Sequence, residues 1–398
     1  MRAPARIQGG PEYAFVPSLL EGALVLKLWP VMGIVLMQIL LLLAHWFLLA
    51  TWLAFWIAPS PLTVLVLRCA LTALAFSFMS AALLSFRSAS PVVSYLYRFA
   101  AIWLGFLNFF FWAACLSWVV WFAMLAALQG GQLSAARPWI CGSLSAVAFV
   151  AGLWGLLNAR WIRVRRVSVV LPGLPEQWRG RTAAILSDLH LGHVNGPAFS
   201  RRIVQMVSDL TPDIVFIPGD LFDGGMSDIE GLLAPFRQLQ APQGIYFSSG
   251  NHDEFGDMDA YTEAIESAGI RVLDNEAVSA DGLHVLGVSF SDSTYPIRIR
   301  AMLQELRPRD GEASVLLNHV PSRLPIVEEA GIALQLSGHT HAGQMFPFTW
   351  FTRRIFGRFT HGLSSYGTLA VYTSTGAGTW GPPMRVGTRP EIVLLSFK

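Results

Sequence analysis

The sequence predicts two unlike halves, an all-α four-helix transmembrane region followed by an α/β domain. Three observations predict them. The chain is 53% hydrophobic and only 14% charged, and its apolar excess is concentrated in the first ~160 residues, against roughly a quarter charged residues in an average soluble domain. From Arg181 onward, short apolar runs alternate with amphipathic stretches, as strands alternate with helices. In that half, Asp, His and Asn recur directly after the apolar runs.

Residues 1–30 read as a cytoplasmic tail. Arg2 and Arg6 give a basic start, but Pro11, Glu12 and Glu21 interrupt before any long apolar run, and no small-residue cleavage site follows, so a signal peptide is not expected. Four stretches come next: Val31–Ala58, Leu62–Ser85, Phe99–Leu128 and Trp139–Leu157. Each is long enough to cross about 30 Å of hydrocarbon at ~20 residues. They lack the polar face of helices in a soluble bundle, so 31–158 is read as the membrane region. His45 and Asn108, inside these spans, are expected to make helix-packing hydrogen bonds. Basic residues cluster in the tail, at Arg87 and Arg98, and at Arg160, Arg163, Arg165 and Arg166, and are sparse in the other connections. That bias places both ends on the cytoplasmic side. Cys69, Cys115 and Cys141 are an odd number in apolar segments, which excludes a disulfide framework. A net charge of +2 is too small to suggest nucleic acid.

Residues 159–181 form a juxtamembrane segment and linker, strand-like over Trp161–Leu171, whose arginines could attract anionic headgroups. The domain is expected over 182–398. Its strands are Ala183–Leu186, Ile214–Ile217, Ile245–Phe247, His284–Phe290, Val315–Leu317, Leu334–Leu336, Leu369–Thr373 and Ile392–Phe397; its helices are Ala198–Leu210, Asp228–Leu239 and Tyr261–Ala268.

Five blocks follow these strands: Ser187-Asp188-Leu189-His190, Gly219-Asp220, Gly250-Asn251-His252-Asp253, Asn318-His319 and Gly338-His339-Thr340-His341. The carboxyl ends of strands are where sites form in open α/β sheets. Carboxylate and imidazole without thiolate suit Mn, Fe or Zn. In an extended segment residues i and i+2 point the same way, so Asp188 and His190 are expected to grip one ion, and His339 and His341 to serve neighbouring ions. Asp220 is the natural bridge of a two-metal site. Asn251 supplies a neutral oxygen, and His252, pointing elsewhere, is assigned to proton transfer.

In order and spacing the five blocks resemble the calcineurin-like metallophosphoesterase superfamily. The tail from Gly338 to Gln344, with Gly376-Ala-Gly-Thr379 and Pro390-Glu-Ile392, resembles its YkuE/YaeI-like bacterial branch; Ala342 stands where that branch usually has Gly. The resemblance implies an α/β calcineurin-like two-sheet sandwich flanked by helices. It implies that Asp188, His190, Asp220 and His341 hold one divalent ion and Asp220, Asn251, His319 and His339 the other. His252 would then be the general acid, oriented by Asp253.

Met345–Thr360 interleaves aromatic residues with Arg353, Arg354 and Arg358 directly after His341, which suits a membrane-facing lip. The expectation is a two-metal phosphoesterase in a bacterial inner membrane, its catalytic domain cytoplasmic. Its partners would be the lipid bilayer and a phosphoester substrate in a lipid or nucleotide-linked glycolipid. The alternative is a membrane sensor or scaffold with a weak or regulatory phosphoesterase domain.

Overall fold

The computed structural model describes residues 19–56, 58–125, 130–225, 227–309 and 311–398. The tail expected over 1–30 lies outside them as far as residue 18. The first half is four long helices: α1 (Leu19–Phe55), α2 (Pro61–Ser85), α3 (Pro91–Leu125) and α4 (Gly130–Arg160). All four are long and apolar enough to cross a membrane. The start of α2 shows why the chain turns there. The Ser60 hydroxyl accepts the Thr63 N–H at 3.1 Å, and Pro61 takes the first helical position, where its missing donor costs nothing.

The second half contains β1 (Arg163–Val169), β2 (Thr182–Ile185), α5 (Pro197–Ser208), β3 (Ile214–Pro218), α6 (Ile229–Leu233), β4 (Ile245–Ser248), α7 (Met258–Ser267), β5 (Arg271–Val272), β6 (Glu276–Ala280) and β7 (Leu283–Gly287). Then follow α8 (Phe290–Thr294), α9 (Pro296–Glu305), β8 (Ser314–Leu317), α10 (Leu324–Glu329), β9 (Leu334–Ser337), α11 (Phe348–Phe356), β10 (Gly362–Tyr366), β11 (Leu369–Thr373) and β12 (Glu391–Phe397). They form two six-stranded sheets, ordered β1-β12-β2-β3-β4-β5 and β10-β11-β9-β8-β7-β6. β2, β3 and β4 run parallel in one sheet, and β7, β8, β9 and β11 in the other. The strand expected over His284–Phe290 stops at Gly287, because the Ser289 hydroxyl caps α8 by accepting the Asp292 N–H at 3.3 Å.

Ile185, Phe216, Val315, Leu334 and Val393 fill the space between the sheets. Val207, Phe236 and Tyr261 cover the outer face of the first sheet, and Ile299, Leu303 and Val327 that of the second. Burial of each large side chain contributes about 1.5–3 kcal/mol. The juxtamembrane segment is part of this sandwich. β1 pairs with β12 along its whole length, and Trp178 is fully buried with its indole N–H donating to the Ala280 carbonyl at 3.0 Å.

The two halves are docked rather than merely tethered. His193 is held between α2 and α3: its Nε2–H points at the Ser85 carbonyl at 3.3 Å, and Nδ1 accepts from the Ser94 hydroxyl at 2.8 Å. Arg98 donates to the His193 carbonyl at 2.6 Å. Asn158 of α4 donates to the carbonyls of Arg385 and Thr388 at 2.9 and 2.8 Å. His45 makes the expected packing bond, accepting from the Trp103 indole at 2.8 Å. Asn108 does not: its amide donates to the Phe346 carbonyl at 3.0 Å, tying α3 to the domain instead of to another span.

Candidate metal centre

The five blocks meet at the carboxyl ends of β2, β3, β4, β8 and β9, where adjacent parallel strands deliver their following loops to one place. Three sets of side chains have ligand atoms within 4.8 Å of one another: Asp188, His190 and His341; His190, Asp220 and His252; Asp220, His319 and His339. Asp220 belongs to two of these sets. Asn251 joins the third through its side-chain oxygen, 2.9 Å from His339 Nδ1. The juxtaposition is not made by extended backbone, as the spacing suggested. Asp188, His190, Asp220, His339 and His341 have φ of 53, 46, 53, 67 and 45°. Left-handed turns just past each strand aim these side chains inward, at a cost that active sites characteristically carry. The motif glycines follow from the crowding: a Cβ on Gly250 would lie 2.2 Å from Asp220 Oδ1, and one on Gly338 1.9 Å from Ser187 Oγ.

His190 and His341 bring their Nε2 atoms to 3.0 Å, with Asp188 Oδ1 3.3 Å from the latter. His319 donates from Nδ1 to the Pro218 carbonyl at 2.8 Å, which leaves Nε2 facing Asp220 Oδ2 at 3.2 Å; a backbone carbonyl fixing the far nitrogen is how ligand imidazoles are oriented. Asp188 Oδ2 is buried with no hydrogen-bond partner among the described residues, an arrangement that is costly unless a cation satisfies it. This donor set fits two divalent ions.

Charge within the cluster follows the same logic. Burial would depress His319, but Asp220 and Asp188 outweigh it and raise it to about 9. Burial and the neighbouring His319 push His339 down to about 4, and burial with Arg385 holds His341 well below its ordinary value. Asp220 is buried, yet His319 and His190 keep it well below the carboxylate range. His252 is lowered by burial and by His190.

Asp253 is not placed to orient His252. Its carboxylate is fully buried and accepts the backbone N–H groups of Asp220, Phe222 and Gly250, each at 2.8 Å, stitching two of the cluster's loops together. Burial and Asp220 raise it to about 7. The group beside the His252 ring is Asp223, whose carbonyl lies 3.2 Å and whose carboxylate lies 3.7 Å from Nδ1; the same carboxylate is 3.2 Å from His190 Nδ1. Asp223 could have been read from its position three residues after Asp220. A second unforeseen residue is Arg385, fully buried, which donates to the carbonyls of His341 at 3.2 Å and Gly378 at 2.6 Å and has its Nη2 3.2 Å from His341 Nδ1. Burial brings it down to about 10. Nothing in the sequence marks it.

A two-sheet sandwich whose parallel strands end in converging carboxylates and imidazoles defines a metal-binding α/β protein. Residues 182–343 match the calcineurin-like phosphoesterase family, and this part of the chain is a calcineurin-like metallophosphoesterase domain. The chain is 33% identical over 268 residues to the "Transmembrane protein with metallophosphoesterase domain" of Danio rerio, covering 63% of this chain and 61% of that protein. The Bos taurus protein of the same description is 32% identical over 291 residues, 68% of this chain and 64% of that one. The uncharacterized metallophosphoesterase YkuE of Bacillus subtilis is 26% identical over 276 residues, 65% of this chain and 94% of that protein. The chain thus spans less than two thirds of the length of the two transmembrane relatives.

Proposed function

We propose that this chain is a membrane-bound, two-metal phosphoesterase whose substrate is a phosphoester, phosphodiester or pyrophosphate in a lipid or nucleotide-linked glycolipid. One ion would be held by Asp188, His190, Asp220 and His341, and the other by Asp220, Asn251, His319 and His339, with Mn, Fe or Zn the metals the ligands suit. Two such ions, when bound, polarise a phosphoryl group and acidify water between them. The chain's own residues do the rest. His252, its ring steadied by Asp223, gives a proton to the departing oxygen. Phe255 and Trp380, whose rings lie 5.1 and 5.9 Å from His252, shelter that proton from bulk water.

The observation that carries the lipid reading is the helix α11. It buries none of its residues, and Phe348, Trp350, Phe351 and Ile355 are all exposed, Ile355 by 75%. A loop packed over the core would have buried them. Its last residue, Phe356, lies 6.3 Å from the ring of His339, so this apolar face borders the metal cluster. Depth supports the same reading. Asn108, which binds Phe346, lies about 15 Å further along α3 than Arg98, at 1.5 Å per residue. α1 runs alongside, with His45 level with Trp103, and exposes Val31, Met32, Val35, Leu36 and Ile39 beyond that level on the domain side. The arginine bias of the loops supports a catalytic domain on the cytoplasmic face of a bacterial inner membrane.

The test is Trp350→Ala with Phe351→Ala in the full chain. Apparent KM for a lipid phosphoester should rise about five- to fifty-fold, at about 1.4 kcal/mol per tenfold. Hydrolysis of a small soluble phosphodiester should hold. Equal loss on both, with earlier unfolding, would remove the lipid reading.

A further inference from the structure

A cavity of about 750 Å³ lies behind the metal cluster, on the far side of the turn that carries His341, with Ala342 in its wall. That volume is in the range of ligand pockets. Its charged lining is Arg163, Arg165, Arg353, Arg389 and a single carboxylate, Glu391. Glu391 does little to neutralise them: it is 6% exposed, accepts from the Tyr372 hydroxyl at 3.2 Å and the Thr375 N–H at 3.1 Å, and lies 3.9 Å from Arg165. Among the described residues, the Arg163 guanidinium donates only to neutral partners, the Asn158 side-chain oxygen and the Trp161 carbonyl. Arg353 and Arg389 have no acidic partner among the described residues. Burial and the charge of Arg389 together press Arg163 below its ordinary value, as expected of guanidiniums crowded without a counter-ion.

The position says where an anion would come from. Arg163 lies three residues past the end of α4, and its guanidinium stacks at 4.3 Å on Trp161, which is exposed. Trp350, exposed on α11, stands in the cavity wall. Tryptophans flanking arginines where a span ends mark the headgroup layer. Arginine forks suit phosphate oxygens.

We infer that this cavity is a second, non-catalytic site that binds the phosphate of an anionic phospholipid headgroup, with the acyl chains leaving over Trp350 into the bilayer. It holds the lipid behind the His341 turn, where none of the candidate metal ligands or His252 reaches.

The experiment uses the full chain in nanodiscs of phosphatidylcholine with or without phosphatidylglycerol, followed by native mass spectrometry of the released protein. Wild type should retain phosphatidylglycerol and not phosphatidylcholine. Arg353→Gln with Arg389→Gln should lower retention at least tenfold, and Arg389→Lys should keep most of it. Asp220→Asn should retain it like wild type, which separates this site from the substrate's even where the phosphoesterase reading fails. Equal retention of both lipids, undiminished retention in the Gln pair, or loss of retention in Asp220→Asn would overturn the proposal. So would displacement of the lipid by an equal concentration of inorganic phosphate, which would make the ligand a soluble anion. If the Gln pair does not fold, the comparison of the two lipids on wild type decides.

Discussion

Met384 occupies the space a side chain on Gly105 would need. A Cβ built on Gly105 falls 2.5 Å from the Met384 sulfur and 3.2 Å from Pro382 Cβ, and Met384 is fully buried there. Gly155 on α4 meets the other side, its would-be Cβ 2.9 Å from Val386. The two glycines open a notch between α3 and α4 that admits the 382–386 loop. A methionine side chain bends easily, but proline does not, so Gly105→Val should force the loop out. Overpacking typically costs about 1–3 kcal/mol. Amide hydrogen exchange across 382–388 should accelerate; unchanged protection would mean the notch is not what holds the halves together.

The shared position of Asp220 leads to a metal prediction. Wild type reconstituted with divalent ions should hold two per chain by elemental analysis, and Asp220→Asn should lose most of both. One ion in wild type would dismantle the two-metal assignment.

His252 should separate chemistry from binding. His252→Ala should keep its metals while turnover of an ester with a poor leaving group falls roughly 10²–10⁴-fold. With a nitrophenolate leaving group, which needs no proton, the loss should shrink. Equal losses on the two esters would assign His252 to binding instead.

Asp253 should behave differently. Asp253→Ala strands three buried backbone N–H groups, each worth about 1–3 kcal/mol when unsatisfied. The variant should unfold earlier and bind metal weakly, with kcat per bound metal little changed. A variant of normal stability that is inactive would restore the catalytic role the sequence suggested.

Ala342 has a φ of 48°. The left-handed region costs a residue with a Cβ about 1–2 kcal/mol. Glycine avoids that, but loses about 0.4–1 kcal/mol through the greater freedom of the unfolded chain. The first effect is the larger, so Ala342→Gly should raise Tm slightly. A lower Tm would show that the Ala342 methyl contributes packing that outweighs its backbone strain.

What the sequence made legible was whatever rests on local pattern. Apolar runs located β3 and β11 to within a residue, and uninterrupted hydrophobicity located α2. The residues that meet in the cluster were legible because each stands shortly after such a run. Less was legible where neighbours distant in sequence decide. The left-handed backbone at Asp188 and His341 comes from loops packed against one another, which spacing does not record. Asp253 adjoins His252 in sequence, yet its carboxylate is turned to the backbone of Asp220 and Phe222. Arg385 is 44 residues from His341 and reaches it only because α4 holds the intervening loop. Asn108 looked like a bond between spans because a polar residue among apolar ones says that a partner exists, not which partner it is.

The pairing of β1 with β12 bears on where this molecule can be cut. The family match begins at residue 182, so a soluble fragment would naturally be started there. Such a fragment would strip β1 from the sheet and leave β12 as a bare edge of seven residues, the kind of edge on which other chains template and aggregate. It would also uncover Met384 and Val386, which in the intact chain face α3 and α4. The shortest piece with its own surfaces closed therefore includes the helices, and biochemistry on this protein belongs in detergent or lipid from the first purification onward.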